Sequence, residues 1–322
     1  MKVLITGVAG FIGFHLAKKL LDKKIKVIGI DNLNNYYETS IKLQRLKILK
    51  KYSNFKYIYG DLKNISVFKK KELKNNINYI FHFAGQAGVR YSIKKPKEYI
   101  KDNTMAYLNL LENFKSSKKL KAIFYASSSS VYGNDTANSS NASPKKPISV
   151  YAVSKLSMEL LSSAYLSLYK MKCVGLRFFT VYGPWGRPDM AYFKFCNLIY
   201  KNKKIEIYND GKHFRSFTYI DDVISNILLI QKNLGKINFQ KESVFNIGNP
   251  KNESLKKFVN LIEKNIYIKA KKIYKKKQPC DVLNTRSNNR IENKLFKFKF
   301  ETNLEKGIKK FINWFLLEYE KK

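Results

Sequence analysis

A glycine-rich turn near the start of the chain constrains the fold more than any other segment. The run TGVAGFIG, residues 6–13, follows the apolar stretch KVLIT and precedes a segment with helical spacing. Gly7, Gly10 and Gly13 would let the backbone approach a phosphate and let the helix pack closely on the strand. The helix would present its first N–H groups and the positive end of its dipole to a pyrophosphate. The turn therefore predicts a dinucleotide-binding α/β domain.

Strand-like and helical segments alternate through the first half of the chain. Strands are predicted at 2–6, 26–31, 55–61, 77–84, 121–127 and 172–179, and helices at about 11–21, 39–50, 97–117 and 150–170. This alternation predicts an α/β fold with a doubly wound parallel sheet, because parallel strands are joined by helical crossovers.

Beyond about residue 180, short strand-like runs mix with helices, which predicts a smaller C-terminal substrate lobe. We expect a cofactor domain at 1–180 and a lobe at 181–322, with short segments of the latter returning to the cofactor domain. Residues 133–147 are predicted to form a loop.

Acidic residues end the second and third predicted strands. Asp31 lies 18 residues beyond Gly13, where a carboxylate can bind the ribose hydroxyls of adenosine and repel a 2′-phosphate. NAD is therefore expected in preference to NADP. Asp61 could reach the adenine, and an ordinary loop aspartate is the alternative.

Two further motifs carry the chemistry. In YASSSSVYG, residues 125–133, hydroxyl groups follow an apolar strand, at the edge where open α/β sheets bind their ligands. Tyr151 and Lys155 are four residues apart on a predicted helix and share a face. A neighbouring ammonium and a positive nicotinamide would lower the pKa of a tyrosine and make it a usable base. After the glycine-rich turn and Asp31, this pair predicts a nicotinamide-dependent reaction.

Charge and cysteine content bear on the partners and the compartment. The 322 residues include 62 basic and 24 acidic ones, a net charge of +38. Lysines account for 55 of the basic residues and lie along the whole chain, so solvated surfaces explain them better than a nucleic-acid site. Three scattered cysteines favour a reducing, cytoplasmic setting. No membrane span, signal peptide or metal-ligand spacing is expected.

Together these motifs resemble the extended short-chain dehydrogenase/reductases of the NAD-dependent epimerase/dehydratase family, over almost the whole chain. The segments most similar to UDP-glucuronate 4-epimerases are DNLNNYY (31–37), FAGQAGVRYS (83–92), RFFTVYGPWGRPDMA (177–191) and RSFTYIDD (215–222). The resemblance implies a Rossmann-type NAD domain, a nucleotide-sugar lobe, tightly bound NAD and a UDP-sugar substrate. It also implies a homodimer formed through helices equivalent to 97–117 and 150–170.

The resemblance further implies roles for individual residues. The catalytic residues would be Tyr151, Lys155 and Ser128. Contacts to the cofactor would come from Gly7, Gly10, Gly13, Phe11, Ile12, Asp31, Asp61, Asn103, Tyr151 and Lys155. Contacts to the substrate would come from Arg90, Ser129, Ser130, Thr180, Arg187, Arg215 and Asp281. For Asn103, a surface asparagine on a helix is the alternative, and for Arg187 a brace of its own loop. Ser216 and Cys280 depart from the family pattern near the nucleotide.

Ser129 and Ser130 narrow the reaction. Related dehydratases carry an Asp-Glu pair at these positions, and related decarboxylases carry a Glu. Neutral serines at these positions disfavour elimination of water, so oxidation followed by re-reduction at C4 is the reaction that remains. With the substrate that the resemblance implies, this reaction would convert UDP-glucuronate to UDP-galacturonate. The alternatives are 4-epimerisation of a neutral or N-acetylated UDP-hexose, a non-catalytic sensor of NAD or nucleotide sugars, and nucleic-acid binding.

Overall fold

Seven parallel strands form the central sheet, and they follow the apolar runs of the sequence. The strands are β1 (Lys2–Thr6), β2 (Lys26–Asp31), β3 (Phe55–Tyr59), β4 (Tyr79–His82), β5 (Ala122–Ser128), β6 (Cys173–Phe178) and β11 (Val244–Ile247). Their order across the sheet is β11-β6-β5-β4-β1-β2-β3. The chain runs outward in opposite directions from β1 and β4, so the carboxyl ends of these neighbours mark the switch point where such sheets bind ligands. The structure confirms the predicted Rossmann-type sheet.

Helices connect and flank the strands. They are α1 (Phe11–Asp22), α2 (Thr39–Leu49), α3 (Tyr91–Lys94), α4 (Pro96–Tyr99), α5 (Ala106–Phe114), α6 (Val150–Tyr169), α7 (Ala191–Tyr200), α8 (Ile220–Lys232), α9 (Leu255–Ile266), α10 (Arg290–Phe296) and α11 (Leu304–Trp314). Short strands pair later in the chain: β7 (Thr180–Tyr182) with β10 (Phe217–Tyr219), β8 (Ile205–Tyr208) with β13 (Lys272–Lys275), and β9 (Phe214–Arg215) with β12 (Glu253–Ser254).

The chain forms two compact units in this computed structural model, which describes residues 1–74, 76–134, 145–276, 282 and 284–320. The first unit contains Met1–Gly133, Pro144–Arg177 and Asn233–Phe245, and the second contains Phe178–Lys232 and Asn246–Lys322. Of the predicted loop, residues 135–144 lie outside the described residues. No helix within the described ranges has the length and apolar character needed to cross a bilayer.

The apolar core of the first unit fixes the position of α6. Ile80 and Ile123 of the sheet are fully buried, and they share one cluster with Leu110 of α5 and Met158 of α6. Strands buried in this way need apolar residues at successive positions, which is why their sequences read as continuous apolar runs. The packing holds the helix that carries Tyr151 and Lys155 against the central sheet.

The structure corrects the predicted helix at 97–117. That segment is divided into α4, a wider π-helical turn at Ile100–Met105, and α5, which ends at Phe114. The strand predicted at 77–84 is also shorter, since β4 ends at His82 and the chain then turns past the end of β1. Both differences occur beside the switch point of the sheet.

Candidate active site

The turn between β1 and α1 admits glycine alone at two positions. Gly7 has a φ of +71°, and a Cβ there would lie 2.6 Å from a backbone nitrogen of the loop after β4. A Cβ on Gly13 would lie 2.2 Å from the Gly7 carbonyl oxygen. Gly10 precedes α1, and no side chain caps the first turn of that helix, where Phe11 and Ile12 lie. Backbone N–H groups in such an uncapped turn can donate to a phosphate.

Asp31 ends β2 and is anchored by backbone donors. Its Oδ2 accepts a hydrogen bond from Ala9 N at 3.0 Å, and its Oδ1 accepts one from Leu33 N at 2.9 Å. Burial raises the pKa of Asp31, and these donors together with the charges of Lys42 and Arg45 partly oppose that rise. Arg45 Nη1 donates to the Ala9 carbonyl at 2.7 Å, so the same peptide group is held from both sides.

Asp61 lies just past the end of β3, beside the end of β2. Its Oδ2 accepts a hydrogen bond from Asn32 Nδ2 at 3.1 Å, and its Oδ1 accepts one from Lys63 N at 2.9 Å. The structure therefore brings Asp61 and the residue after Asp31 together at one edge of the sheet.

Tyr151 and Lys155 lie in the first turns of α6, which Ser149 caps. The Nζ atom of Lys155 lies 6.0 Å from the centroid of the Tyr151 ring, and the Tyr99 ring stands edge-on to Tyr151 at 6.0 Å. Lys155 is only 4% exposed, and burial lowers its pKa to about 8. Within the described part of the chain, its hydrogen-bond acceptor is the Met158 thioether, at 3.8 Å. Sulfur is a weak acceptor for an ammonium group, so the pocket suits a ligand that supplies oxygen.

Asn103 connects the loop after β4 to α6. Its Oδ1 accepts a hydrogen bond from Gln86 N at 2.7 Å, while its Nδ2 donates to Gln86 O at 3.1 Å and to Ser154 Oγ at 2.8 Å. Asn103 is fully buried, so the alternative of a surface asparagine is wrong. A Cβ on Gly85 would lie 2.6 Å from Asn103 Oδ1 and 3.4 Å from Lys155 Nζ, which places these groups around one point.

The serines at the end of β5 form a turn and not a flexible linker. Ser128 Oγ accepts a hydrogen bond from Ser130 N at 3.1 Å and donates one to Ser130 Oγ at 3.1 Å, which caps the 3₁₀ turn Ser129–Tyr132. Ser128 is buried, while Ser129 and Ser130 are half-buried. The turn packs against α6, the helix of Tyr151 and Lys155.

In the second unit, Arg187 already binds a carboxylate. Its Nε and Nη2 atoms donate to the two carboxylate oxygens of Asp189, at 2.9 and 2.6 Å. Thr180 is the half-buried first residue of β7, and Arg215 ends β9, where its Nη1 donates to the Phe214 carbonyl at 2.9 Å. The Nε–Nη2 edge of Arg187 is thus engaged by a carboxylate of its own loop, in the planar geometry that suits such a pair.

The structure describes fewer contacts for the other residues predicted to lie near the substrate. Arg90 is exposed just before α3. Asp281 and Cys280 lie outside the described residues. Ser216 is fully buried, and its hydroxyl donates to the Asn249 carbonyl at 2.5 Å. An aspartate, the usual residue of the family, could not donate this bond when ionised.

The described residues contain no cluster of three or more His, Cys, Asp or Glu side chains suited to a metal.

Sequence reasoning missed four charged residues at or beneath the site. They are Arg45, Asp189, Glu159 and Arg177. The chain contains only seven arginines, so each arginine was a signal worth following. Arg45 and Arg177 are buried, and both bind groups next to predicted site residues.

Comparison with known proteins identifies the family of the chain. Residues 3–248 match the family model described as "NAD dependent epimerase/dehydratase family". Protein CapI of Staphylococcus aureus is 41% identical, with all of both chains covered. UDP-glucuronate 4-epimerase 2 of Arabidopsis thaliana is 38% identical over 99% of this chain and 77% of the plant protein.

A solved structure extends the similarity to three dimensions. UDP-glucuronic acid 4-epimerase from Bacillus cereus, in complex with UDP-glucuronic acid and NAD, superposes with a TM-score of 0.90 at 31% identity. The alignment covers 99% of this chain and 100% of the bacterial chain.

Proposed function

The chain belongs to the NAD-dependent epimerase/dehydratase family, and from that premise we propose that it interconverts UDP-glucuronate and UDP-galacturonate. The Arabidopsis thaliana relative is a UDP-glucuronate 4-epimerase, and the Bacillus cereus neighbour is a UDP-glucuronic acid 4-epimerase in complex with UDP-glucuronic acid and NAD. The observation that carries the proposal is the pairing of Tyr151 with the buried ammonium of Lys155 in a fold that matches a UDP-glucuronate epimerase.

The residues of the first unit fit NAD. The Gly7 and Gly13 cradle would admit a pyrophosphate, Asp31 would accept hydrogen bonds from the adenosine ribose, and Asp61 would contact the adenine. Lys155, whose present acceptor is a thioether, would donate to the nicotinamide ribose, and Asn103 would hold the adjoining loop. Bound NAD would supply the hydride acceptor and donor that inversion at C4 of the sugar requires.

Tyr151 and Ser128 would handle the proton. As a phenolate, Tyr151 takes the proton of the sugar 4-hydroxyl, and the ammonium of Lys155 favours that charge state. The Ser128 hydroxyl donates a hydrogen bond to the sugar 4-oxygen while the ketone exists. The sugar turns about its diphosphate link, and Tyr151 then returns the proton. Because Ser129 and Ser130 carry no charge, they supply neither the acid nor the base that elimination of water requires.

The second unit would supply recognition of the anionic substrate. We assign Arg187 and Thr180 to the sugar carboxylate from the similarity of RFFTVYGPWGRPDMA (177–191) to UDP-glucuronate 4-epimerases. Asp189, which holds the Nε–Nη2 edge of Arg187, would give up that edge when the sugar carboxylate binds. Arg215 would bind the diphosphate. Arg90, Ser129 and Ser130 would contact the substrate near the sugar, and Asp281 the nucleoside ribose.

The experiment is the analysis of products from UDP-glucuronate with purified protein and no added NAD. Formation of UDP-galacturonate in wild type, and a loss of about 100- to 10,000-fold in Tyr151→Phe, would support both the substrate and the base. Tyr169→Phe, which removes a hydroxyl from the far end of the same helix, should retain activity. Turnover of a neutral or N-acetylated UDP-hexose alone would overturn the assignment of substrate, and bound NAD with no turnover of any UDP-sugar would indicate a sensor.

A further inference from the structure

A buried ion pair connects α6 to β6 beneath the serine turn. Arg177 Nε donates to Glu159 Oε1 at 2.8 Å, and Arg177 Nη2 donates to Glu159 Oε2 at 2.6 Å. The Arg177 side chain is 3% exposed and that of Glu159 is 8% exposed. The two parallel hydrogen bonds fix the orientation of both groups, because a guanidinium and a carboxylate meet in one plane.

The same pair contacts the residues on both sides of Ser128–Ser130. Ser127 Oγ donates to Glu159 Oε1 at 2.5 Å, just before the turn. Arg177 Nη1 donates to the Tyr132 hydroxyl at 2.8 Å, at the end of the turn, and its guanidinium lies 4.9 Å from the centroid of the Tyr132 ring. One ion pair therefore holds each end of the segment that carries the predicted catalytic hydroxyl.

Glu159 also fixes this segment relative to the predicted base. It lies four residues beyond Lys155 and eight beyond Tyr151, on the same face of α6. A buried ion pair is weak evidence for a stabilising role, since apolar residues of similar volume often stabilise a core as well or better. The fixed geometry of its four hydrogen bonds is what an apolar replacement would lose.

We propose that Glu159 and Arg177 are positioning residues that hold the Ser128 hydroxyl in register with Tyr151. They touch neither substrate nor cofactor and act through Ser127, Tyr132 and the turn between them. The inference rests on the proposed function of that site. A displacement of about 1 Å in a reacting group can cost about 100-fold in rate, so the connection has a measurable kinetic consequence.

The test is a double-mutant cycle with Ser128→Ala. Removal of one charge alone would leave the other buried and unpaired. The first variant therefore neutralises both charges, with Glu159→Gln and Arg177→Met together. The second, milder variant combines Ser127→Ala with Tyr132→Phe. We expect each pair to lower kcat by about 10- to 100-fold with KM changed less than about twofold. When the same substitutions are added to Ser128→Ala, kcat should fall by less than about twofold further, because the Ser128 hydroxyl that they would displace is already absent.

A matched control separates positioning from general loss of structure. Glu263→Gln breaks an ion pair whose carboxylate is buried and whose lysine is exposed, in which Lys272 Nζ lies 2.9 Å from Glu263 Oε1. It should lower the melting temperature and leave kcat unchanged. The proposal would be overturned if the double variants lowered kcat by the same factor with and without the Ser128 hydroxyl. It would also be overturned if they raised KM and left kcat unchanged.

A measurement without substrate distinguishes failure of this inference from failure of the proposed function. The amide of Ser130 donates to Ser128 Oγ and that of Gly133 to the Ser130 carbonyl, so hydrogen exchange at these amides reports the turn. Exchange should become faster at Ser130 and Gly133 in both variant pairs and stay unchanged at Gly7–Gly13. Unaltered exchange of the turn would refute the connection. If another UDP-sugar is the substrate, the kinetic cycle is run with that sugar.

Discussion

The buried charge of Lys155 lowers the stability of the folded protein, at a residue that we propose to be catalytic. Burial lowers the pKa of its amine to about 8, against an ordinary value of 10.5. At neutral pH the folded protein must therefore bury a charge that burial disfavours. At 1.36 kcal/mol per pKa unit, the cost is on the order of 3 kcal/mol. A ligand that supplies oxygen acceptors would recover part of this cost.

We expect Lys155→Met to stabilise the NAD-free protein at neutral pH while it impairs NAD binding and catalysis. Between pH 8 and 10.5 the unfolded chain binds a proton that the folded lysine lacks, so wild-type stability rises with pH in that window. The advantage of methionine should be fully present below pH 8 and disappear towards pH 10.5. Chemical denaturation of stripped protein across this range measures it. The exposed Lys121→Met is the control, and a variant less stable than wild type at pH 7 would contradict the argument.

With UDP-glucuronate as the proposed substrate, we assign to Arg187 the suppression of a second reaction. The 4-keto form of a uronic acid is a β-keto acid and can lose carbon dioxide. Loss is fastest when the breaking bond is perpendicular to the carbonyl plane, and a guanidinium fork can hold the carboxylate away from that alignment. In the structure this fork binds Asp189, which the sugar carboxylate would have to displace.

Arg187→Ala should slow epimerisation by about 10- to 100-fold, the loss of a charged hydrogen-bonded contact, and raise the fraction of UDP-pentose product. Mass analysis of the products and measurement of released carbon dioxide give the ratio of UDP-pentose to epimerised product. Arg286→Ala, which removes an exposed arginine of the same unit, serves as control. If activity towards UDP-glucuronate and a neutral UDP-hexose falls equally, with no carbon dioxide released, Arg187 merely braces its loop.

At the scale of elements, α6 presents an apolar stripe away from its buried face. Val153, Leu160 and Leu168 are 42, 65 and 70% exposed and lie about two helical turns apart. Met105, at the end of the π-helical turn, is also 46% exposed. We propose that this face, with the helices on either side, forms the contact of a homodimer.

Leu160→Lys should therefore shift the protein from dimer to monomer. It places a charge where a leucine would otherwise contribute about 1.5–3 kcal/mol per copy by burial. Analytical ultracentrifugation across a concentration series measures the change. Leu43→Lys, on the exposed side of α2, should have no effect. A wild-type protein that stays monomeric at every concentration, or a variant that still dimerises equally well, would exclude this face.

The sequence predicted elements well where one local pattern determines them. The glycine spacing, the apolar runs and the Tyr151–Lys155 spacing each lie within a single element, so β1, β2, α1 and α6 were located to within about one residue. The π-helical turn was not predictable, since its widened geometry depends on contacts of Asn103 with the loop after β4.

Contacts between distant residues account for what was missed in the site. Arg45 binds the carbonyl of Ala9, 36 residues away, and Arg177 binds Tyr132, 45 residues away. No spacing rule connects such residues in a single sequence. Asp189 is only two residues from Arg187, but an arginine near an aspartate in a loop is too common to identify a pair.

At the scale of the whole molecule, the charge of +38 creates a field that a UDP-sugar must enter. Long-range attraction of an anionic substrate raises the association rate and is screened over about 10 Å at 0.1 M salt. We expect kcat/KM to fall several-fold between about 0.01 and 0.3 M sodium chloride while kcat changes little. Initial-rate measurements at fixed pH test this. Sucrose at matched osmolality is the control, and a salt-independent kcat/KM would show that the lysines do not steer substrate.

The π-helical turn at Ile100–Met105 constrains the length of this segment. A π turn contains one residue more than an α turn, and each residue advances an α-helix by about 100°. Tyr99, before the turn, donates its hydroxyl hydrogen towards the carbonyls of Ala87 and Gly88, and Asn103, within it, binds Gln86 and Ser154. Deletion of one residue between them would rotate one of the two side chains away from its partners. A segment shortened by one residue would therefore keep the contacts of Tyr99 or those of Asn103, but not both.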